Sequence, residues 1–232
     1  MKEPVPANPP QPVAFDLRRQ RAATIAPIAI AFPVAIALWL GTYFLLPPLA
    51  GMADMVARVA FAVKCSCIAV LFCLVTGVEA VAHERLRSPA IDPLLGYETR
   101  RLRINLRYLQ NTLEQLVVFV PGLLGLAIYC SDDNSMRAVA ATTVVWVIAR
   151  IAFWVGYHRS SAQRGLGAPG MMLSMLVLLY VCVRFGFEMA GVVGAIVPLA
   201  LFAAAEVVLT WSTRPNQNAA HDLHGAPEQG YE

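Results

Sequence analysis

Four polar side chains recur along one apolar stretch: Arg103, Arg107, Asn111 and Glu114, spaced by 4, 4 and 3. At 3.6 residues per turn this spacing predicts a single polar stripe on an otherwise apolar helix. A second set follows in Arg150, Phe153 and Tyr157, related by 3 and 4, with Arg159 and Arg164 in the turn beyond. A guanidinium stays charged at every relevant pH and donates several hydrogen bonds, a carboxylate accepts them, and Asn and Tyr do both. Together the two clusters suit an anionic, polar small molecule. From Arg107 to Glu114 a helix rises about 10 Å, which carries the stripe below the surface of a bilayer. Arginines near a membrane edge snorkel, but Asn111 and Glu114 are too short to do so, and a polar pocket is therefore expected.

The elements that must hold these residues are membrane spans. Of the 232 residues, 58% are hydrophobic and only 14% charged, with a mean hydropathy of +0.59. Soluble domains run near 45–50% apolar and about a quarter charged. This balance excludes a soluble enzyme, a disordered chain and a collagen-like repeat. Residues 22–53 carry no Asp, Glu, Lys or Arg, and shorter charge-free runs occupy 115–131, 138–149, 165–183 and 189–205. A helix needs roughly 20 apolar residues to cross about 30 Å of hydrocarbon. Six spans follow, near 24–48, 57–82, 109–130, 137–157, 168–187 and 191–212. The last two are divided near Gly186–Gly191, because together they would make about 60 Å of helix. The first apolar run is too long for the core of a cleavable leader and reads as a signal anchor. Proline-rich residues near the N-terminus and the tail from Arg214 read as disordered.

The positive charges fix an orientation. With both termini in the cytoplasm, fourteen Lys and Arg fall inside, from Lys2 to Arg214. Three fall outside, Arg58, Arg137 and Arg184, and Lys64 lies within a span. That bias is the one the positive-inside rule requires. It accounts for the arginines of both clusters, though not for Asn111, Glu114 and Tyr157 at helical spacing.

Other chemistries find little support. Cys65, Cys67, Cys73, Cys130 and Cys182 lie in or beside apolar helices, where thiols pack as small hydrophobes. Cys65 and Cys67, two apart, face opposite sides of a helix and share no metal easily. Glu79 and His83 stand four apart but lack a third ligand, and His221 and His224 belong to the loose tail. No phosphate loop, dinucleotide fingerprint, nucleophile elbow or zinc-protease motif is present, and nothing points to nucleic acid.

The two clusters, in order and on one membrane face, carry a resemblance. Arg107-x-x-x-Asn111-x-x-Glu114, followed by Arg150-x-x-Phe153-x-x-Gly156-Tyr157-x-Arg159-x-x-x-x-Arg164, resembles the MAPEG family of membrane-associated proteins in eicosanoid and glutathione metabolism. The string from Asp92 through Gln115 is similar to a prokaryotic branch, which implies a bacterial inner membrane. The resemblance implies an all-α integral membrane protein: a four-helix bundle, usually a homotrimer, binding glutathione between protomers near the cytoplasmic face. On this chain the bundle would occupy 57–190. Extra transmembrane helices would lie at 23–56 and 191–212, and disordered tails at 1–22 and 213–232. Carried over by motif, Arg107, Asn111 and Glu114 would grip glutathione, while Arg150, Tyr157 and Arg159 would close the site from the next helix. Arg164 matches the arginine credited in several members with stabilising the glutathione thiolate.

That thiolate would attack a lipophilic electrophile or hydroperoxide arriving from the bilayer, with glutathione as co-substrate and no metal. Two departures stand out. Phe153 replaces a tyrosine of several glutathione-using members, and Gln115 replaces an aromatic residue of some animal members. They keep open a non-catalytic, lipid- or partner-binding protein on the same scaffold. Lys64, Arg184, Glu188 and Glu206 within spans also raise a small transporter. Against it, Arg184 and Glu188 can pair within their helix, and no inverted repeat is visible.

Overall fold

A computed structural model of the chain describes residues 17–213, all of them in helices, turns and loops, with no strand among the described residues. The order is α1 (Leu17–Leu45), α2 (Met55–Ala69), a π-helical turn (Val70–Val75), α3 (Thr76–Leu86), α4 (Arg100–Tyr129), α5 (Arg137–Arg159) and α6 (Ala168–Ser212). Short 3-10 turns cover Pro89–Ile91, Pro93–Leu95 and Ala162–Gly167. Apolar segments in lipid must satisfy every backbone polar group internally, which is why they are helical throughout. Five helical stretches among the described residues are long and apolar enough to cross a membrane.

The last of these is interrupted. Ala190 and Gly191 leave helical geometry, and Gly191 takes φ of +60°, a left-handed value that glycine adopts without strain. Gly186 and Gly194, on either side of the break, approach so closely that a Cβ on either would strike the other's carbonyl. The pieces on each side, 168–189 and 192–212, are each long enough at about 1.5 Å per residue to reach across hydrocarbon. The division expected at Gly186–Gly191 therefore falls at its C-terminal edge. By packing, the chain forms two compact units, the first ending at Leu178 and the second beginning at Leu179.

At the other end the reading needs correction. Residues 17–22, expected to be disordered, are the first turns of α1. The segment from Leu17 to Ala23 is made of Leu, Arg, Gln and Ala, strong helix formers, and proline does not reappear until Pro27, so the helix extends beyond its apolar stretch. The remaining tail segments assigned to disorder, including the proline-rich one, lie outside the described residues, apart from Thr213.

The core of the first unit lies between α2, α4 and α5. Phe119 and Trp146 stack there with ring centroids 4.5 Å apart, among Ala62, Ala69, Cys73, Leu123, Met136 and Val139. Exposed positions along the spans remain apolar, as at Leu113, Val117 and Ile128 on α4. The α4–α5 loop is tied to the segment after α1, since the Leu49 amide donates to the Asp133 carbonyl (3.0 Å) and the Met52 amide to its Oδ1 (2.7 Å). Asp132, in the same loop, accepts from the Ser135 and Asn134 amides, and these bonds hold its carboxyl below the usual carboxylate range. Trp39 Nε1 donates to Thr142 Oγ1 (3.2 Å), fastening α1 along α5.

The π turn serves α4. The Tyr108 hydroxyl donates to the Cys73 carbonyl within it at 2.9 Å, and the Tyr108 ring is fully buried beside Gly77. A Cβ at Gly77 would lie 3.0 Å from Tyr108 Cε1. Gly77→Val is expected to cost about 1–3 kcal/mol by overpacking, read as a lowered thermal midpoint in detergent.

Candidate functional site

α4 starts where Thr99 accepts from the Leu102 amide (3.0 Å) and donates to Glu84 Oε1 on α3 (3.1 Å). From that start the helix presents Arg103, Arg107, Gln110, Asn111 and Glu114 in sequence. α5 crosses beside it. Trp154 Nε1 donates to Asn105 Oδ1 (2.9 Å), His158 Nε2 lies 2.9 Å from the same oxygen, and Arg100 donates to the His158 carbonyl (3.2 Å). Tyr108 stacks on Trp154 and Phe153 from the α4 side.

Between these helices is an open cavity of about 510 Å³. α4 contributes Arg107, Gln110, Asn111 and Glu114, α5 contributes Phe153 and Tyr157, and the 3-10 turn contributes Arg164. The size lies within the range of about 300–1,000 Å³ usual for small-molecule sites. A second cavity of about 340 Å³, lined by Arg100, Arg103, Ile104, Arg107, Tyr157 and Ser161, shares Arg107 and Tyr157 with the first. The larger cavity thus offers two guanidiniums and one carboxylate, and the smaller adds two further guanidiniums.

The hydrogen bonds define what each side chain can still do. Asn111 Oδ1 accepts from Arg150 Nη1 (3.0 Å) and Gln115 Nε2 (3.2 Å). A guanidinium cannot accept, so the oxygen must face Arg150 and the Nδ2 donor is left for a ligand. Gln110 Nε2 donates to Glu114 Oε1 (3.0 Å), leaving Oε2 as the principal acceptor in the cavity. A ligand with several acceptors and a single strong donor is the complement of this set.

Arg150 is fully buried behind Asn111. Its Nη2 donates to Thr112 Oγ1 (3.1 Å), and its guanidinium lies 4.5 Å from the Phe153 ring centroid and 5.5 Å from that of Tyr108. The guanidinium of Arg150 is thus held by an amide, a hydroxyl and two aromatic rings.

Of the sequence-derived candidates, Arg107, Asn111, Glu114, Tyr157 and Arg164 come together on the larger cavity. Arg150 does not line it but supports Asn111. Arg159, the last residue of α5, is exposed and lines neither cavity. Gln110 was missed, although its place four residues before Glu114 marks it as a helical neighbour. The clamp by Gln115 is likewise an i+4 relation to Asn111. Among the described residues no group of three or more His, Cys, Asp and Glu could hold a metal ion.

An all-helical bundle with several apolar spans and a polar, arginine-rich cavity defines an integral, multi-pass membrane protein. The MAPEG family model matches residues 36–187, well over half of the chain, and the chain belongs to that glutathione-associated family. An uncharacterized protein of Synechocystis sp. is 39% identical over 74 residues, which are 32% of this chain and 51% of that protein. The chain thus spans about half the length of this relative. No solved structure matches the chain.

Proposed function

We propose that the protein is a membrane-bound, glutathione-dependent transferase or peroxidase. The observation that carries the reading is the convergence of Arg107, Asn111, Glu114, Tyr157 and Arg164, from three separate elements, on one cavity. Glutathione has two carboxylates, one ammonium, two amides and a thiol. Arg107 and the Asn111 Nδ2 donate to carboxylates and carbonyls, and Glu114 accepts from the ammonium. The formal charge of the lining, two cations and one anion, complements a ligand of net charge −1.

Arg164 supplies the chemical step. A free thiol with pKa near 8.5 is mostly protonated at neutral pH, and the thiolate is the nucleophile. A guanidinium held beside the sulfur favours the thiolate without itself losing a proton. The acceptor is a lipophilic electrophile or hydroperoxide that reaches the cavity from the bilayer. In this reading the protein works as a homotrimer in a bacterial inner membrane with both termini cytoplasmic. Its bundle is 57–190, flanked by the extra helices. A second reading, a non-catalytic lipid- or partner-binding protein, is favoured by Phe153, which lines the cavity without a hydroxyl.

Calorimetric titration of the detergent-purified protein with glutathione separates the two. Saturable binding that weakens by about tenfold or more in both Arg107→Ala and Glu114→Ala, as expected for charge-assisted hydrogen bonds, supports the first. A folded wild type that takes up a fatty acid but no glutathione establishes the second.

A further inference from the structure

The 3-10 turn that carries Arg164 is held from two sides. On the α5 side, Gly156 lies against the Gln163 carbonyl and Gly167 against the Phe153 Cβ, too close in both places for any side chain. On the α1 side, Gly165 is buried against Ile28 and Thr24: a Cβ there would lie 2.8 Å from Ile28 Cγ1 and 3.0 Å from the Thr24 carbonyl oxygen. Arg164 itself stays exposed, its side chain lining the larger cavity. A short 3-10 turn has weak internal hydrogen bonding, and its position is set by what packs on it. Thr24 and Ile28 lie outside the family-matched residues 36–187, whereas Arg164 and Gly165 lie within them.

We infer that α1 is a clamp for Arg164: Ile28, Thr24 and Gly165 are positioning residues that fix the turn so that the guanidinium stands at the cavity. The inference rests on the glutathione reading for its chemistry and on the α1–turn packing for its geometry. It predicts that disturbing the Gly165–Ile28 contact removes thiolate stabilisation while leaving the peptide-binding groups of α4 in place. Gly165→Val adds three carbons where none fit, and Ile28→Ala removes three on the facing side, so the double variant conserves volume.

The experiment uses the full-length chain in detergent, with wild type, Arg164→Ala, Gly165→Val and Gly165→Val/Ile28→Ala. Three readouts are taken: ultraviolet thiolate absorbance on adding glutathione, affinity for S-methylglutathione and, in the three proteins that keep Arg164, the rate of tryptic cleavage after it. Gly165→Val is expected to resemble Arg164→Ala, losing about tenfold or more of the thiolate fraction. Its S-methylglutathione affinity should stay within about twofold, as for a change remote from those contacts. Cleavage after Arg164 should accelerate in Gly165→Val and slow again in the double variant, with the same bond cut in both, and the thiolate signal should return in part, since the Thr24 carbonyl stays 3.0 Å from the added Cβ. A Gly165→Val protein with wild-type thiolate signal and wild-type protease resistance overturns the clamp. If glutathione does not bind wild type at all, the functional reading fails, and the cleavage rates still decide whether α1 holds the turn.

Discussion

Arg164→Ala is expected to lower turnover of glutathione with a lipophilic electrophile by about 10²–10³-fold, the usual effect of removing one preorganised donor from a site of developing negative charge. Glutathione affinity should change far less, because Arg107, Asn111, Glu114 and Tyr157 remain around the cavity. The defect should also depend on pH in one direction. A guanidinium beside the sulfur lowers the pKa of the bound thiol, so wild type holds thiolate at neutral pH. The variant must wait for the thiol to ionise unaided, so its rate should climb as pH rises toward about 8.5 while wild type stays flat. Arg164→Lys, which keeps the charge but not the fork of donors, should fall between the two. Equal rates and equal pH profiles for wild type and Arg164→Ala would sink the assignment.

The second large effect is expected at Asn111. Its Oδ1 is already occupied by Arg150 and Gln115, so Asn111→Asp keeps both bonds and exchanges only the Nδ2 donor for a charged oxygen. Two consequences should part company. Stability should hold or rise, since the buried guanidinium of Arg150 gains an anion beside it. Binding of an anionic ligand should weaken by about 10²-fold, since a hydrogen bond to a charged group is worth roughly 1.5–3 kcal/mol and a like-charge contact replaces it. Thermal melts and calorimetry on the same preparation check both. An Asp variant that binds glutathione as wild type does would mean that Nδ2 is not the group offered to the ligand.

Much of the site was legible because the informative residues are helical neighbours. Arg107, Asn111 and Glu114 announce one face by spacing alone, and the cavity collects them. Arg150, Phe153 and Tyr157 also share a face, but spacing cannot say whether a face meets a ligand or another helix. Here Phe153 and Tyr157 reach the cavity while Arg150, a turn deeper, points into α4. Arg159 follows Tyr157 by two positions, which on a helix turns it through about 200° and away from the face. The turn holding Arg164 is legible in sequence, but its support from Thr24 and Ile28, a contact between distant segments, is not. Span limits were legible to within a few residues wherever apolarity ends sharply. At α1 and α4 helix-forming polar residues continue past the apolar stretch: α1 begins at Leu17 rather than near 24, and α4 at Arg100 rather than near 109.

Burial of Arg150 also bears on how the chain enters the bilayer. Arg150 lies nine residues, about 13 Å of rise, before the end of α5, and an arginine at the centre of a lone helix in lipid costs about 2.5–3.5 kcal/mol on insertion scales. Its acceptors, Asn111 Oδ1 and Thr112 Oγ1, are both on α4. Each helix therefore carries polar groups that the other satisfies, and neither is well matched to lipid by itself. α4 and α5 are best inserted as a pre-paired hairpin, so that the polar seam is closed before hydrocarbon surrounds it.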